Sequence, residues 1–198
     1  MQSPEVRIRS LSNPRVKRAV KLRQHSHRQA MGLMLIEGRR EILRALDHGY
    51  TPVELFYCRD FFQDREEDAV LDRCGEQATV LFECAPPVFR KMAYRDNPEG
   101  LLAVGPHLGA SLAELRPRSN PLIVVAESIE KPGNLGTILR TAYAAGVDAV
   151  IVCDRCTDLT NPNVVRASIG TLFCVPVAQA ASEEAARWLK DKGCRILA

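Results

Sequence analysis

Asn134 and Arg140 carry the side chains of this sequence best placed to do chemistry. Both fall in Asn134-Leu135-Gly136-Thr137-Ile138-Leu139-Arg140-Thr141-Ala142, between two apolar runs. A guanidinium normally stays protonated in proteins, so Arg140 offers a fixed positive charge that orients an anion or stabilises developing negative charge. Leu122–Ala126 predicts a buried strand, and Lys131-Pro132-Gly133 a turn. Asn134 is expected as the helix N-cap, its side-chain carbonyl accepting a free N–H of the first turn. The helix then runs to about Ala145, with Ile138, Leu139, Ala142 and Ala145 as its buried stripe. Gly146 stands where a left-handed residue is needed, and Ala149–Cys153 predicts a second strand. Ligands of open α/β sheets bind at the carboxyl ends of such strands. Two plainer readings stay open: a solvated arginine on an amphipathic helix, and an asparagine that only caps.

The elements before this unit alternate. The pattern predicts a helix over Pro14–Gln29, a strand at Leu33–Glu37, a helix at Arg39–Asp47 ended by Gly49, and a strand at Val53–Tyr57. A helix at Glu66–Cys74, a strand at Thr79–Phe82, a short helix at Pro86–Ala93 and a strand at Leu101–Val104 follow. This alternation predicts a small α/β domain. Residues 106–120, rich in proline, glycine and serine, read as a linker. Beyond Cys153 the expected elements are a loop (Thr157–Asn163), a short helix near Val164–Gly170, a strand at Phe173–Val177, a helix at Glu183–Lys190 and a strand at Arg195–Leu197.

The net charge of +3 over 198 residues conceals a polarity. Residues 1–44 hold 11 Lys/Arg against 3 acids, and residues 45–198 hold 16 against 21. The first helix carries much of the excess. Asn13 caps it, Pro14 suits its first position, and Val16, Ala19, Val20 and Leu22 recur at helical spacing, leaving Arg15, Lys17, Arg18, Lys21 and Arg23 largely outward. A folded domain with a cationic face suits a polyanion, although many charged faces are merely solvated. The apolar runs are far short of a membrane span, and the charged N-terminus has no apolar signal-peptide core. Seven scattered cysteines fit a reducing cytoplasm better than a disulfide framework. Cys153-x-x-Cys156 lacks the further ligands zinc needs, the four histidines show no metal spacing, and neither GxGxxG nor GxxxxGK[ST] occurs. No metal is expected.

Asn134-x-Gly136-x-x-x-Arg140-Thr141-Ala142-x-x-x-Gly146 resembles the first motif of the SpoU (TrmH) family of RNA ribose 2′-O-methyltransferases, within the SPOUT class. Val165-Arg166-Ala167-Ser168-Ile169-Gly170 is similar to the family's R-x-S-x-G segment. Ser12-Asn13-Pro14, Leu35-Ile36-Glu37-Gly38-Arg39-Arg40-Glu41 and Pro98-Glu99-Gly100-Leu101-Leu102-Ala103-Val104 extend the likeness over nearly the whole chain.

The resemblance implies an α/β fold: a small N-terminal α/β RNA-binding domain (1–105), a linker (106–120) and a SPOUT-type parallel-sheet α/β domain (121–198). It implies methyl transfer from S-adenosylmethionine to a 2′-hydroxyl of RNA, ribosomal RNA ahead of transfer RNA, by a cytoplasmic homodimer. Arg140 and Asn134 are then the expected catalytic residues. Arg166, Arg39, Arg40 and Arg18 are the expected substrate contacts, and Ser168 a local cap or back-bond. The family's N-E-G-x-G and S-L-N-V segments, which tie its trefoil knot and line the cofactor pocket, are not found. Cofactor contacts are therefore expected beyond Ala198, and the chain as given is expected to be an inactive, truncated form. A non-catalytic, ribosome-associated RNA binder is the alternative. A nucleotide-binding α/β enzyme of another class is disfavoured by the missing glycine fingerprint.

Overall fold

The computed structural model describes residues 6–154 and 157–197. The chain divides into two compact units, Met1–His107 with Thr160–Pro162, and Leu108–Leu159 with Asn163–Ala198.

The first unit is built on a five-stranded sheet. In chain order it contains β1 (Val6–Ile8), α1 (Pro14–Lys21), α2 (His25–Met31), β2 (Leu33–Glu37), α3 (Arg39–Asp47), β3 (Glu54–Tyr57), α4 (Glu66–Glu76), β4 (Val80–Cys84), α5 (Pro86–Met92) and β5 (Leu101–Pro106). The strands lie in the order β1-β4-β3-β5-β2, with β1, β4 and β3 parallel and β5 antiparallel to β3 and β2. Val16 and Ala19 of α1, Leu22 just after it, and Val88, Phe89 and Met92 of α5 pack on Leu35, Phe56, Phe82, Leu102 and Val104 of the sheet. The alternate strand residues, Ile36, Leu55, Leu101 and Ala103, are equally buried on the opposite face.

The single helix expected over Pro14–Gln29 is two. Asn13 caps the first, its side chain accepting the Arg15 N–H at 2.9 Å. The helix ends at Lys21 because the buried Arg28 guanidinium donates to the carbonyls of Leu22 (2.9 Å) and Arg23 (2.8 Å). Those carbonyls are thereby satisfied outside a continuing helix. Strand β1 has no counterpart in the sequence reading, being three residues at the edge of the sheet.

The motif around Glu37 and Gly38 proves to be architectural. Gly38 has φ +110, and its N–H donates to Leu101 at 3.1 Å, so only a glycine sits easily between β2 and α3. The buried Glu37 carboxylate accepts the N–H groups of Tyr94 (2.6 Å) and Arg95 (3.3 Å). Arg95 in turn donates to Glu41 at 2.8 Å and to Glu99. The two Glu-Gly sequences, Glu37-Gly38 and Glu99-Gly100, thus tie one end of the β2–β5 pair to the loop after α5.

The second unit has a three-stranded, all-parallel sheet. It contains β6 (Ile123–Glu127), α6 (Pro132–Ala144), β7 (Ala149–Cys153), α7 (Pro162–Ala167), β8 (Val177–Ala180) and α8 (Ser182–Asp191), with strand order β6-β7-β8. Residues 106–120, expected as a linker, are partly built in. Leu112–Glu114 form a 3₁₀ turn closed by a Ser111–Glu114 capping box, Leu112 and Leu115 are buried against Ala149, Ile151 and Ala178, and Arg118 pairs with Asp148 at 2.5 Å.

The strand expected at Phe173–Val177 begins later, at Val177. Pro176 just before it cannot donate to a ladder, and Thr171–Phe173 form a 3₁₀ turn after a left-handed Gly170. Arg195–Leu197 form no strand: α8 ends at Asp191, Gly193 is left-handed, and no described strand pairs with this segment. Among the described residues no helix is long and apolar enough to cross a membrane.

Burial pushes the carboxyls of Glu37 and Glu41 above the usual 4.5, with Arg95 opposing. A carboxyl whose folded-state pKa is raised binds protons better folded than unfolded. Its contribution therefore favours the fold at low pH and fades as pH rises through the folded value. We expect Glu41→Gln to flatten this decline, so that urea midpoints measured upward from the normal glutamate range fall less steeply than in the wild type. An unchanged slope would show that Glu41 binds its proton equally well in both states.

Candidate active site

α6 begins three residues earlier than the sequence suggests. Lys131 is its N-cap and Pro132 its first residue, a position where a missing N–H costs nothing and the fixed φ fits the helix. Asn134 is therefore not the cap. It is the third helical residue, its own N–H donates to the Lys131 carbonyl at 3.0 Å, and its side chain is exposed. The buried stripe is Leu135, Gly136, Leu139 and Ala142, where Ile138, Leu139, Ala142 and Ala145 were expected: Ile138 is half-buried and Ala145 exposed. The strand expected to be buried is an edge strand with Leu122 and Val125 exposed, while Gly146 is left-handed at φ +67 as expected.

Arg140 is exposed, and its side chain has neither ion pair nor hydrogen bond among the described residues. It stands six residues beyond Asn134, about 9 Å along the helix axis and about 120° around it. The two side chains thus leave different faces of α6 and do not hold one another. Arg140 shares its stripe instead with Gly133 and Gly136.

That stripe faces α7. An added Cβ at Gly136 would lie 2.4 Å from the Ala167 Cβ and 2.7 Å from the Ser168 nitrogen. The glycine is what lets the two helices meet. Ser168 is fully buried beside it and its hydroxyl donates back to the Val165 carbonyl at 2.9 Å, so its role is local. At the start of α6 the contact opens into a cleft of about 300 Å³ lined by Pro132, Gly133, Asn163, Arg166 and Ala167. Arg166 is exposed at its edge. The cleft joins a guanidinium to a helix N-terminus, a combination suited to anions.

A third group lies at the carboxyl ends of the strands and was not singled out from the sequence. The Ser182 hydroxyl donates to Glu127 (2.5 Å) and bonds to Asp154, whose other oxygen accepts the Ser182 N–H at 3.0 Å. These bonds hold the Asp154 carboxyl below its usual range. Its sequence signal is an acid at the last position of one parallel strand and another directly after the next. Ser128 and Asp154, the residues that follow β6 and β7, both have positive φ (54 and 58).

The expected RNA contacts of the first unit fare differently from one another. Arg18, together with Arg15, is clamped by the buried Glu54. Arg39 is held by Asp64 at 2.8 Å and Glu66 at 2.9 Å, which raises its pKa further. Arg40 alone of the three is exposed without a side-chain partner among the described residues. Arg23, expected outward, donates to the carbonyls of Lys91 (2.8 Å) and Ala93. Of the Cys153–Cys156 pair, Cys153 is buried and Cys156 lies outside the described residues.

An all-parallel α/β unit with a cation-bearing helix after its first strand, joined to a small α/β domain, defines the class. Residues 121–198 match the SpoU rRNA Methylase family and residues 13–103 the MRM3-like substrate binding domain. An S-adenosylmethionine-bound rRNA methyltransferase of Sinorhizobium meliloti superposes with a TM-score of 0.83 at 30% identity, over 94% of this chain and 69% of that one. The 23S rRNA guanosine 2′-O-methyltransferase of Bacillus subtilis is 28% identical over 96% of this chain and 71% of its own. The mitochondrial rRNA methyltransferase 3A of Danio rerio is 33% identical over 78% of this chain. The chain spans little more than a third of the length of the mitochondrial relatives it matches (35% and 36%). The chain belongs to the SpoU family of RNA methyltransferases.

Gly136→Ala forces a methyl group into backbone. We expect a loss of about 1–3 kcal/mol in the unfolding free energy of the second unit, read by chemical denaturation. Gly133→Ala, with open space around its Cβ, is the control and should cost less. Equal stability of the two variants would mean that α7 can move away at no cost.

Proposed function

We propose that this chain serves S-adenosylmethionine-dependent 2′-O-methylation of RNA, with ribosomal RNA the substrate. Family membership and the activities in its relatives' names support the reaction class. The observation that carries it in this chain is Arg140: a solvent-facing guanidinium with no partner among the described residues, on the helix that follows the first parallel strand. The first unit recruits RNA, a role supported by its match to a substrate-binding domain. Homodimer formation and a cytoplasmic setting complete the reading; the described cysteines, all free thiols, suit a reducing compartment.

When bound, the cofactor supplies a methyl group already activated on a sulfonium. The remaining difficulty is the ribose hydroxyl, a very weak acid and poor nucleophile. The site must hold it in line and stabilise the alkoxide as it forms. Arg140 keeps its proton, so its part is to hold the adjacent phosphate and lower the energy of negative charge on the oxygen, not to remove the hydroxyl proton. Asn134 presents an amide to the ribose from the first turn of the same helix. Arg166 and the positive end of α6 take a backbone phosphate in the α6–α7 cleft.

That cleft does not fit the cofactor. A sulfonium is itself a cation, and Arg166 and the helix N-terminus would repel it. We assign the cofactor's contacts to other segments.

The test is transfer of labelled methyl from S-adenosylmethionine to ribosomal RNA by the full-length protein, with the product identified as 2′-O-methylnucleotide. Arg140→Ala should lower kcat about 100-fold or more, as loss of one charge-stabilising group does elsewhere, while RNA affinity changes little. A parallel collapse of RNA binding with unchanged kcat on saturating RNA would make Arg140 a substrate anchor only. Methylation of a base instead of the ribose would overturn the assignment.

A further inference from the structure

Lysine and arginine are divided in an unusual way in the first unit. It contains three lysines, Lys17, Lys21 and Lys91, and all lie on α1 and α5. All three are exposed, and none has a side-chain bond or ion pair among the described residues. The arginines around them are occupied. Arg15 and Arg18 are clamped by Glu54, Arg7 pairs with Glu83, and the Arg90 guanidinium sits 5.0 Å above the Phe61 ring.

The two helices are neighbours. They follow β1 and β4, which run parallel and adjacent, and they share one hydrophobic cluster. Their ends are fastened where Arg23, two residues past α1, donates to the carbonyls of Lys91 (2.8 Å) and Ala93 at the end of α5. The fixed seam carries its free charge on lysines, which are compact, strongly hydrated and mobile point charges. Free lysines on a rigid face suit a polyanion whose charges are read by position and not by base, since each neutralised phosphate releases counterions.

We propose that the α1–α5 seam, through Lys17, Lys21 and Lys91, is the surface on which the first unit docks the RNA backbone, without regard to base sequence. The proposal rests on the reading of RNA as substrate. It moves the docking surface away from Arg18 and Arg39, which the fold has already paired.

The experiment measures binding of a fluorescently labelled ribosomal RNA hairpin to the full chain by anisotropy across a series of KCl concentrations. The triple variant Lys17→Ala, Lys21→Ala, Lys91→Ala should weaken binding of all RNA sequences alike and reduce the slope of log affinity against log salt by about 2, at about 0.7 per lost contact. Replacing the same three by arginine should restore the slope, and Lys190→Ala in the second unit should leave it unchanged. Lysines that only complement helix C-termini would instead lower the thermal midpoint and leave the salt slope alone; that result overturns the proposal. Unaltered binding by the triple variant overturns it while leaving RNA as the substrate. A wild-type chain that binds no RNA overturns both readings together.

Discussion

The second unit depends on one close approach. Gly136 lets α6 lie against the Ala167–Ser168 backbone at a separation that no side chain would allow. That contact sets where Arg166 stands relative to the start of α6 and so creates the cleft between them. Around it everything is arranged to be stiff. Leu135, Leu139 and Ala142 are buried on the sheet side of α6, and Ser168 spends its hydroxyl on the Val165 carbonyl instead of projecting outward. A stiff pair of helices is a sound base for placing charges, because side chains carried on rigid elements hold their geometry better than those on loops.

The first unit shows the complementary principle, that most of its cations are structural. Its N-terminal segment has a large basic excess, and from sequence alone that excess reads as one cationic face. The folded chain uses the arginines to hold itself together. Arg28 closes α1 through backbone carbonyls, Arg23 joins α1 to α5, Arg95 gathers Glu41 and Glu99, and Glu54 takes two guanidiniums at once. Planar, multidentate guanidiniums suit these buried and half-buried roles, whereas an ammonium does not. The charge left for solvent is accordingly smaller than the count suggests, and on α1 and α5 it is carried by lysines.

What the sequence made legible follows from how local each signal is. β2, α3 and β7 were placed to the residue because each has an apolar pattern bounded by a glycine or a polar turn. The break between α1 and α2 was invisible, since it depends on Arg28 reaching back to carbonyls that only the fold brings near. The late start of β8 could have been read from Pro176, which cannot enter a ladder at its own position. Asn134 misled for the opposite reason: it is a good cap by type, but Pro132 is a better first residue, and the helix begins where the proline sets φ. Gly136 stood out as a member of the matched motif, and the backbone it approaches carries no local mark. The pairing of Arg18 and Arg39 was beyond reach, because Glu54 and Asp64 lie 36 and 25 positions away and nothing in their local pattern marks them as partners.

This division bears on the chemistry proposed for Arg140. The two units handle arginine in contrary ways. In the first, most guanidiniums are matched to a carboxylate, a ring or a carbonyl. In the second, Arg118 is matched to Asp148, yet Arg140, Arg166, Arg187 and Arg195 have no side-chain partner among the described residues. An exposed arginine need not be paired, since water solvates it well and surface pairs contribute little. But two of these guanidiniums, Arg140 and Arg166, are carried by α6 and α7, the helices that Gly136 draws together. A permanently protonated group in that position cannot accept a proton, so any reaction it assists must build negative charge nearby. Ribose 2′-oxygen attack beside a phosphodiester does so at two points at once, the phosphate before the reaction and the alkoxide during it. That match between fixed positive charge and the charge the reaction develops makes the ribose a better target for this helix than a neutral nucleobase nitrogen.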